Sequence, residues 1–330
     1  MAILFVDGVN DLSTMGASLD ENGKPIQSID GNCSVHGRVP LKEGITGSYL
    51  LFGKSVKQAR VNFIQAPTLI FNQISDADTH RGALERCAEL CAQVQTRVIN
   101  RPQQVLQTTR DRISEMLQGI PGVIMPSTVR FQPVSPNDVF QHAVVEKFEF
   151  PFIVRVAGEH AGKRIVLLRG PEDHDALHVF PFDGRDFYLT QYVDCKDQGG
   201  LYHKQRIAVI DSEPVLRHSL FNDHWKIHGN SRDFMIARES WAEDKRRMHW
   251  LDTEVIPELK PAIREISNRL KLEYFGLDGN VRPGGKMLVF EANANMNILH
   301  NPYPEMNDRL KVIHQKIQAM LSKYSGEKVI

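Results

Sequence analysis

The sequence predicts a mixed protein of the α+β (α/β) class with more than one domain. The chain has 330 residues, a length that suits two or three domains of roughly 100–200 residues each. Strand and helix patterns alternate in the first third, as expected for an open, largely parallel sheet. In the middle of the chain, apolar and polar residues alternate with the period of antiparallel strands.

Charge and hydropathy exclude two classes of partner. Lysine plus arginine and aspartate plus glutamate both number 40, so the formal net charge is zero. No global positive field attracts nucleic acid or an anionic membrane. No window of the sequence is apolar for long enough to span a bilayer. We therefore expect no nucleic-acid partner and no membrane association.

The cysteine content and the N-terminal segment indicate a cytoplasmic protein. Four cysteines are too few for a disulfide scaffold, and reduced thiols are expected. The apolar start Ala2–Val6 is interrupted by Asp7 and has no basic flank. This pattern predicts a first strand and not a signal peptide.

The first third is expected to alternate strands and helices. Pro67–Ile74 is a predicted buried strand, His80–Gln95 is a helix with apolar residues at helical spacing, and another strand ends before Pro102. A second helix is predicted over Gln103–Gln118, followed by one short strand within IPGVIMPSTVRF. A domain boundary is expected near residue 110.

The rest of the chain is expected to form antiparallel strands and then helices. Phe150–Ala157 alternates, Arg164–Leu168 is a second run, and a glycine-bearing turn lies between them. The segment FYLTQYV closes this unit. The last third is predicted to hold helices over Arg238–Leu251 and Glu254–Leu272, a strand pair and a closing amphipathic helix.

The segments EYFGLDGN and KMLVFEANANMN carry a candidate metal site. Side chains alternate across a strand, so Val289, Glu291 and Asn293 are expected on one face. With Asp278 on the neighbouring strand, three oxygen donors converge, which suits Mg²⁺ held together with nucleotide phosphates. The alternative is a surface hairpin whose polar residues only shape turns. It is less favoured because an unpaired charge such as Glu291 is costly in an apolar strand.

The turn Gly158–Gly162 is a weaker candidate for a phosphate loop. Small residues let backbone N–H groups approach phosphate oxygens, and Arg155, Lys163 and Arg164 supply positive charge nearby. Taken alone, an ordinary hairpin with solvated basic residues explains this pattern better.

The order of these motifs resembles the ATP-grasp superfamily. A basic strand end (FPFIVR), a glycine loop (GEHAGK), a hinge strand (YLTQYVD), a K-x-R pair and a terminal D...E-x-N follow one another as in that family. The likeness is closest to the branch of glutathione synthetase and the ribosomal-protein glutamate ligases, and it covers roughly Asn72 to the C-terminus. It implies a Rossmann-like pre-ATP-grasp domain over 1–110, a small lid over 111–189 and a C-terminal subdomain with the metal site over 190–330.

The resemblance also implies where ATP binds, between the lid and the C-terminal subdomain. Gln191, Tyr192 and Val193 would offer backbone groups to the adenine, and Asp197 would accept from the ribose hydroxyls. Arg155 stands where the family usually has a phosphate-binding lysine. This replacement keeps the charge but substitutes a planar fork for a compact ammonium.

The glycine loop would contact the phosphates. Gly162 and Lys163 belong to the loop, and His160 would either donate to the γ-phosphate or cap the turn.

Lys204 and Arg206 share one strand face, and the resemblance implies that they stabilise the transferred phosphoryl group. The alternative for this pair is a solvated charged edge. His218 lies close to where related ligases place a basic residue over the acyl phosphate, and a structural histidine is an equal alternative.

Other histidines are candidates for zinc binding and one cysteine for a nucleophile, but the sequence favours neither role. The segment Asn222–Gly229 holds two histidines that would ligate zinc on a helix, but a substrate or phosphate loop is the better interpretation. His174 and His178 are expected to be surface residues. Cys195 is expected to be a packed thiol because no activating partner is assignable.

The resemblance implies an ADP-forming carboxylate–amine ligase that uses ATP and Mg²⁺. It would work through an acyl phosphate and form an amide or peptide bond between small-molecule substrates, such as an amino acid or a peptide. Ligases of this type are commonly dimers or tetramers, so a homo-oligomer such as a dimer is expected. Two alternatives stay open: a small-molecule kinase on the same fold, and a non-catalytic nucleotide-binding module.

Overall fold

The computed structural model describes residues 2–19, 25–58, 63–159, 162–228, 231–238, 241–298 and 307–330. Three sheets and a separate hairpin organise these residues. None of the helices in the described ranges is both long and apolar enough to cross a lipid bilayer.

The first sheet is parallel, as the sequence predicts. Its strands run in the order β4-β1-β5-β6, while β2 and β3 form the separate hairpin. The bounds are β1 (Ile3–Gly8), β2 (Gly16–Leu19), β3 (Pro25–Ser28), β4 (Thr46–Leu51), β5 (Leu69–Asn72) and β6 (Arg97–Ile99). All four residues of β5 are buried, because both faces of a parallel sheet are covered.

Helix α1 (Arg81–Val94) connects β5 to β6 and confirms the predicted helix. Its buried side chains recur at helical spacing, and it ends where Gln95 adopts left-handed backbone angles. Asp11 caps its other end, because both carboxylate oxygens accept from the first backbone N–H groups, those of Arg81 at 3.0 Å and Gly82 at 2.8 Å.

The single helix predicted over Gln103–Gln118 is wrong. The chain forms two helices instead, α2 (Pro102–Val105) and α3 (Arg110–Leu117). Thr108 donates from its hydroxyl to the carbonyl of Val105 at 2.7 Å, and Thr109 has extended backbone angles. Side chains that bond to nearby backbone compete with helix in this way. The break gives α3 a new N-terminus that begins at Arg110.

The single strand predicted within IPGVIMPSTVRF is also wrong. Two strands form there, β7 (Val123–Ile124) and β8 (Thr128–Phe131), and they belong to different sheets. Pro126 separates them, because proline lacks the N–H that a continuous ladder would need.

The lid sheet consists of β8 with β9 (Phe152–Val156), β10 (Ile165–Leu168) and β11 (Phe187–Gln191). Its strands are antiparallel in the order β10-β9-β11-β8, which confirms the predicted alternation. Helix α4 (Pro136–Val145) contributes Val139 and Ala143 to the core of this unit.

The large sheet has the order β13-β12-β14-β15-β7. Its four long strands are β12 (Tyr202–Ile210), β13 (Glu213–Asn222), β14 (Tyr274–Arg282) and β15 (Lys286–Ala294). Neighbouring long strands are antiparallel, and only the short β7 runs parallel to its neighbour. The first and large sheets share their cores: Val6 and Ile70 join Ile207 and Leu277 in one apolar cluster.

Helices complete the C-terminal part, with bounds α5 (Ser231–Ala237), α6 (Trp241–Trp250), α7 (Ile256–Leu270) and α8 (Leu310–Ser325). The two separate helices predicted from residue 238 to 272 are in fact joined, because the π-helical turn Leu251–Val255 links α6 to α7. The predicted closing helix is confirmed, with Ile313, Ile317 and Leu321 fully buried.

Asparagines fix the end of β15 against the first sheet. Asn100 donates to Asn295 Oδ1 at 2.7 Å and accepts from the backbone N–H of Glu273 and Tyr274. Asn295 in turn donates to the carbonyl of Ile74 at 2.9 Å. Both Asn100 and Asn295 have positive φ, which asparagine tolerates better than most residues. This network holds the strand that carries Glu291 and Asn293.

Candidate functional site

A cavity lies where the lid sheet, the large sheet and the first unit meet. The lid contributes Arg155 on β9, and the large sheet contributes Asp278 and the run from residue 288 to 294. Residues 75 to 78, after β5, and Arg110 at the start of α3 form a third wall. Three separate parts of the chain therefore converge on one space.

Four side chains form a row across the large sheet. His218 lies opposite Arg206, Arg206 lies opposite Asp278, and Asp278 lies opposite Glu291. Directly paired residues point to the same face of a sheet. The predicted proximity of Asp278 and Glu291 on neighbouring strands is thus confirmed. Asn293 lies two residues beyond Glu291 and lines the same cavity.

Val289 does not belong to this row, so its predicted place beside Glu291 is wrong. Asp278 pairs with Glu291 while the next residue, Gly279, pairs with Val289, which leaves Phe290 as an extra residue in β15. Such a β-bulge reverses the alternation of side chains. Val289 packs instead in the apolar core with Ala292.

Asp278 is held as a carboxylate by two cations. Arg206 binds it through two hydrogen bonds of 2.7 Å each, and the Lys204 ammonium lies 3.4 Å from its Oδ2. Asp278 is only 4% exposed. Burial alone would raise the pKa of this carboxyl, but Arg206 and then Lys204 hold the pKa well below its usual range. The Asp278 carboxylate can therefore act as a metal ligand without first losing a proton.

Glu291 has a partner that sequence reasoning missed. Arg110 Nη2 donates to Glu291 Oε1 at 2.5 Å, and Arg110 Nη1 donates to the carbonyl of Phe290 at 3.3 Å. The sequence carries no signal for this contact, because the predicted helix Gln103–Gln118 places Arg110 in its interior. Only the break at Thr109 places Arg110 at a helix start that faces the cavity.

Arg155 lies in the lid wall near Arg110. Burial and then the charge of Arg110 lower the pKa of Arg155 to about 10, so it stays a cation at neutral pH. Its guanidinium donates to the carbonyl of Glu159. Its Nε is buried and has no hydrogen-bond partner among the residues that the structure describes. Two guanidinium groups that repel each other across a cavity favour an anion between them.

The glycine loop joins β9 to β10 above the large sheet. Gly158 and Gly162 have positive φ, and a Cβ at Gly158 would lie 2.5 Å from Thr79. Arg164 forms an ion pair with Glu159, and Lys163 is exposed and does not line the cavity. His160, a predicted phosphate contact, lies outside the described residues.

The predicted adenine contacts line the same cavity as Glu291. Gln191, Tyr192 and Val193 line it together with Trp225 and Cys195. The Gln191 side chain is engaged with backbone carbonyls of residues 149 and 151. The Tyr192 and Trp225 rings meet edge to face, with centroids 6.3 Å apart. The backbone N–H groups of Gln191 and Tyr192 donate to the carbonyls of Ser127 at 2.9 Å and Pro151 at 3.3 Å. The aromatic wall suits a planar base.

Cys195 has the character of a packed thiol. Burial raises its pKa to about 11, so the thiol is protonated at neutral pH.

Asp197 is not brought to the cavity, in contrast to the predicted ribose contact. Its Oδ2 lies 2.7 Å from His203 Nε2, and its Oδ1 accepts from the backbone N–H of Leu201 at 2.8 Å. The carboxylate therefore shapes the turn before β12, as aspartates in turns commonly do.

Lys204 lines the cavity, whereas Arg206 and His218 lie behind it in the row. Burial and then the Arg206 charge lower the pKa of His218 well below its usual range. His218 is therefore a neutral imidazole at neutral pH, in keeping with the alternative of a structural histidine.

The histidines considered for zinc separate into two places. His224 and His228 lie in the loop after β13 and not on a helix, as predicted. His174, Asp175 and His178 place possible ligand atoms within 4.8 Å of one another. They sit on the exposed 3₁₀-helix Pro171–Val179 of the lid, and none of the three lines the cavity.

Comparisons with known proteins bear on the fold. No protein-family model matches the sequence, and no curated protein sequence is significantly similar to it. A RimK domain ATP-grasp protein from Sphaerobacter thermophilus DSM 20745 is similar in structure, with a TM-score of 0.51, 12% sequence identity, and coverage of 98% of this chain and 100% of that chain. D-alanine–D-alanine ligase from Bacillus anthracis is similar with a TM-score of 0.53, 10% identity, and coverage of 98% and 97%. The likeness includes the first sheet, so it extends further toward the N-terminus than the sequence motifs.

Proposed function

Because the chain has the ATP-grasp fold with a Rossmann-like unit at its N-terminus, we propose that it is an ATP-dependent carboxylate–amine ligase that forms ADP. One observation carries the proposal. Asp278, Glu291 and Asn293 share a cavity with Arg110 and Arg155, and the aromatic side chains of Tyr192 and Trp225 also line it. A nucleotide needs this combination, since its base is planar and apolar and its phosphates require cations.

The lid and hinge residues would hold the nucleotide. Backbone groups of Gln191, Tyr192 and Val193 would meet the adenine edge, and Trp225 would pack beside it. Arg155 would bind the phosphates in place of a lysine, through a fork with five donors. Gly162 and Lys163 would close over the phosphates as part of the glycine loop.

The oxygen donors of the row, together with Asn293, fit a magnesium ion. Two carboxylates and an amide are hard ligands of the type that Mg²⁺ takes in proteins, and Asp278 is already ionised. Asp278, Glu291 and Asn293 would hold the ion, whose positive charge would offset the negative charge of the phosphates. Arg206 and Lys204 keep Asp278 charged and oriented. His218, being neutral, would support the position of Arg206.

The proposed reaction has two steps. A carboxylate is a poor electrophile, so one of its oxygens first attacks the γ-phosphorus, and the bond from that phosphorus to ADP breaks. An amine then attacks the carbonyl carbon of the acyl phosphate, inorganic phosphate leaves with the electron pair of the C–O bond, and the nitrogen loses a proton. Lys204 would spread the charge of the transferring phosphoryl group, and the glycine loop would exclude water that hydrolyses the intermediate. An amino acid or a peptide is the proposed substrate class.

ATP binding in this cavity is testable through Cys195. We expect MgATP at about ten times its Kd to slow alkylation of Cys195 by about tenfold, since only the free protein reacts. Cys91 on α1 is partly buried, lies away from the cavity and serves as the matched thiol, whose rate should not change. Peptide mass spectrometry at mildly alkaline pH separates the two rates. If calorimetry shows that the protein is saturated with ATP and the alkylation rate of Cys195 is unchanged, the nucleotide binds outside this cavity.

A further inference from the structure

Arg110 and Glu291 form an ion pair in the wall of the cavity. Arg110 Nη2 donates to Glu291 Oε1 at 2.5 Å, and both residues line the cavity. Their side chains are 20% and 24% exposed, so the pair is accessible and not sealed in the core. Glu291 is one of the two carboxylates proposed to hold the metal ion. This carboxylate therefore already carries a cation.

Asp278, the other carboxylate of the proposed metal site, is paired in a similar way. Arg206 binds it through two hydrogen bonds, and the Lys204 ammonium lies 3.4 Å from its Oδ2. Neither carboxylate thus presents an unopposed negative charge to a divalent ion. Because like charges repel over a few ångströms, these cations weaken the attraction of the site for a metal ion that arrives alone.

Arg110 is also placed to contact an anion. Arg155 lines the same cavity, and its pKa is lowered first by burial and then by the charge of Arg110. Two cations that oppose each other in one cavity are complementary to a group with several anionic oxygens, such as a polyphosphate. Arg110 Nη1 donates to the carbonyl of Phe290 at 3.3 Å, a second anchor for the guanidinium that does not depend on Glu291.

We infer that Arg110 makes binding of the metal ion depend on the nucleotide. Its charge beside Glu291 opposes a divalent ion that arrives alone, and the phosphates of ATP balance this charge when the ion and the nucleotide arrive together. The ion and the nucleotide therefore bind as one unit and not independently. The inference rests on the proposed function, because it takes Glu291 as a metal ligand and ATP as the anion.

Removal of the Arg110 charge is expected to change the affinities for metal ion and nucleotide in opposite directions. Arg110→Gln keeps an amide donor without the charge, whereas Arg110→Lys keeps the charge. We expect Arg110→Gln to bind Mn²⁺ alone at least about fivefold tighter, and ATP in the presence of a chelator at least about fivefold weaker, the effect of a unit charge at about 4 Å in water. Arg110→Lys should stay within about threefold of wild type for both. Electron paramagnetic resonance of free Mn²⁺ and calorimetry with ATP measure the two affinities.

Glu291→Gln tests the same balance from the other partner. Loss of the carboxylate releases Arg110 for the phosphates, so ATP with a chelator present should bind at least about threefold tighter than to wild type. This gain should be lost when Arg110→Gln is added. Arg81→Gln is the matched control, since Arg81 Nε lies 3.2 Å from Glu85 Oε1 on α1 and Arg81 does not line the cavity. The control should change neither affinity.

The outcomes separate this inference from the proposed function. Weaker binding of both Mn²⁺ and ATP by Arg110→Gln would assign Arg110 a structural role and overturn the inference. Unchanged affinity for Mn²⁺ alone, or equal effects of Arg110→Gln and Arg110→Lys, would also overturn it. In these cases the wild type still binds ATP with Mg²⁺, and the proposed function stands. A wild-type protein that does not bind MgATP would overturn both.

Discussion

Replacement of Asp278 by asparagine is expected to lower the rate of ADP formation by about 10²–10³-fold. The substitution removes the buried carboxylate that lies opposite Glu291, and with it one negative ligand of the proposed metal site. It also leaves Arg206 without its bidentate partner. Since Arg206 is 30% exposed, the cost in the free energy of unfolding should be no more than about 3 kcal/mol. Coupled-enzyme assay of ADP and urea unfolding measure the two effects separately.

Asp183→Asn is the matched control for this prediction. Asp183 also pairs with an arginine through two hydrogen bonds, but on the lid surface, where both side chains are at least 40% exposed. An exposed pair contributes at most about 1 kcal/mol. The control should therefore change neither activity nor stability appreciably. An Asp278→Asn protein that folds and forms ADP at the wild-type rate would exclude Asp278 from the metal site.

The stability difference between wild type and Asp278→Asn should also depend on pH. The folded-state pKa of Asp278 lies below its usual range, so the ionised carboxylate stabilises the fold above the unfolded-state pKa. That contribution is lost as the pH falls through the folded-state pKa. The difference should be constant from neutral pH down to about pH 4, the ordinary pKa of aspartate, and shrink only below it.

Replacement of Arg155 by methionine is expected to lower kcat/KM for ATP by about 10²-fold, whereas lysine should keep it within about tenfold. Both variants retain an extended side chain, but only lysine retains a charge for the phosphates. Because the buried site lowers the pKa of Arg155 to about 10, the folded protein disfavours this cation when no anion is bound. Arg155→Met should therefore be as stable as wild type or more stable, unlike Asp278→Asn.

The pair of Arg155 variants also tests why an arginine is present. If Arg155→Lys loses as much kcat/KM as Arg155→Met, the planar guanidinium is required and not only its charge. The guanidinium also donates to the carbonyl of Glu159. Full activity of Arg155→Met would show that Arg155 does not bind the phosphates. Steady-state kinetics with varied ATP and thermal unfolding provide both readouts.

The central part of the site could be predicted from sequence because it depends on local pattern. Glu291 interrupts an apolar strand, and Asp278 precedes it by one hairpin, so strand alternation was enough to bring the two together. Lys204 and Arg206 share a face for the same reason, and both contact Asp278. These inferences needed only the period of a strand and the cost of an unpaired charge.

The rest of the site depends on features that period and propensity do not encode. Arg110 reaches Glu291 only because Thr108 and Thr109 break a helix that the apolar pattern continues. Val289 turns into the core because a bulge inserts Phe290.

Asp197 and His228 show the same limit over longer distances. Asp197 binds His203 rather than lining the cavity, since its turn folds back on β12. His228 lies against Gly162, which belongs to the loop between β9 and β10 of the lid. Such contacts between segments distant in sequence appear only in the folded chain.

The products formed from ATP distinguish a ligase from a kinase and from a binding module. The wild-type protein would be incubated with MgATP and a panel of amino acids, peptides and small carboxylic acids, and nucleotides, phosphate and organic products would be followed by ³¹P NMR and mass spectrometry. We predict substrate-dependent ADP, free phosphate in equal amount and a condensed amide, all lost in Glu291→Gln. ADP with the phosphoryl group retained on a stable product would identify a kinase, and tight ATP binding without turnover on any substrate would indicate a binding module. Either result would contradict a ligase.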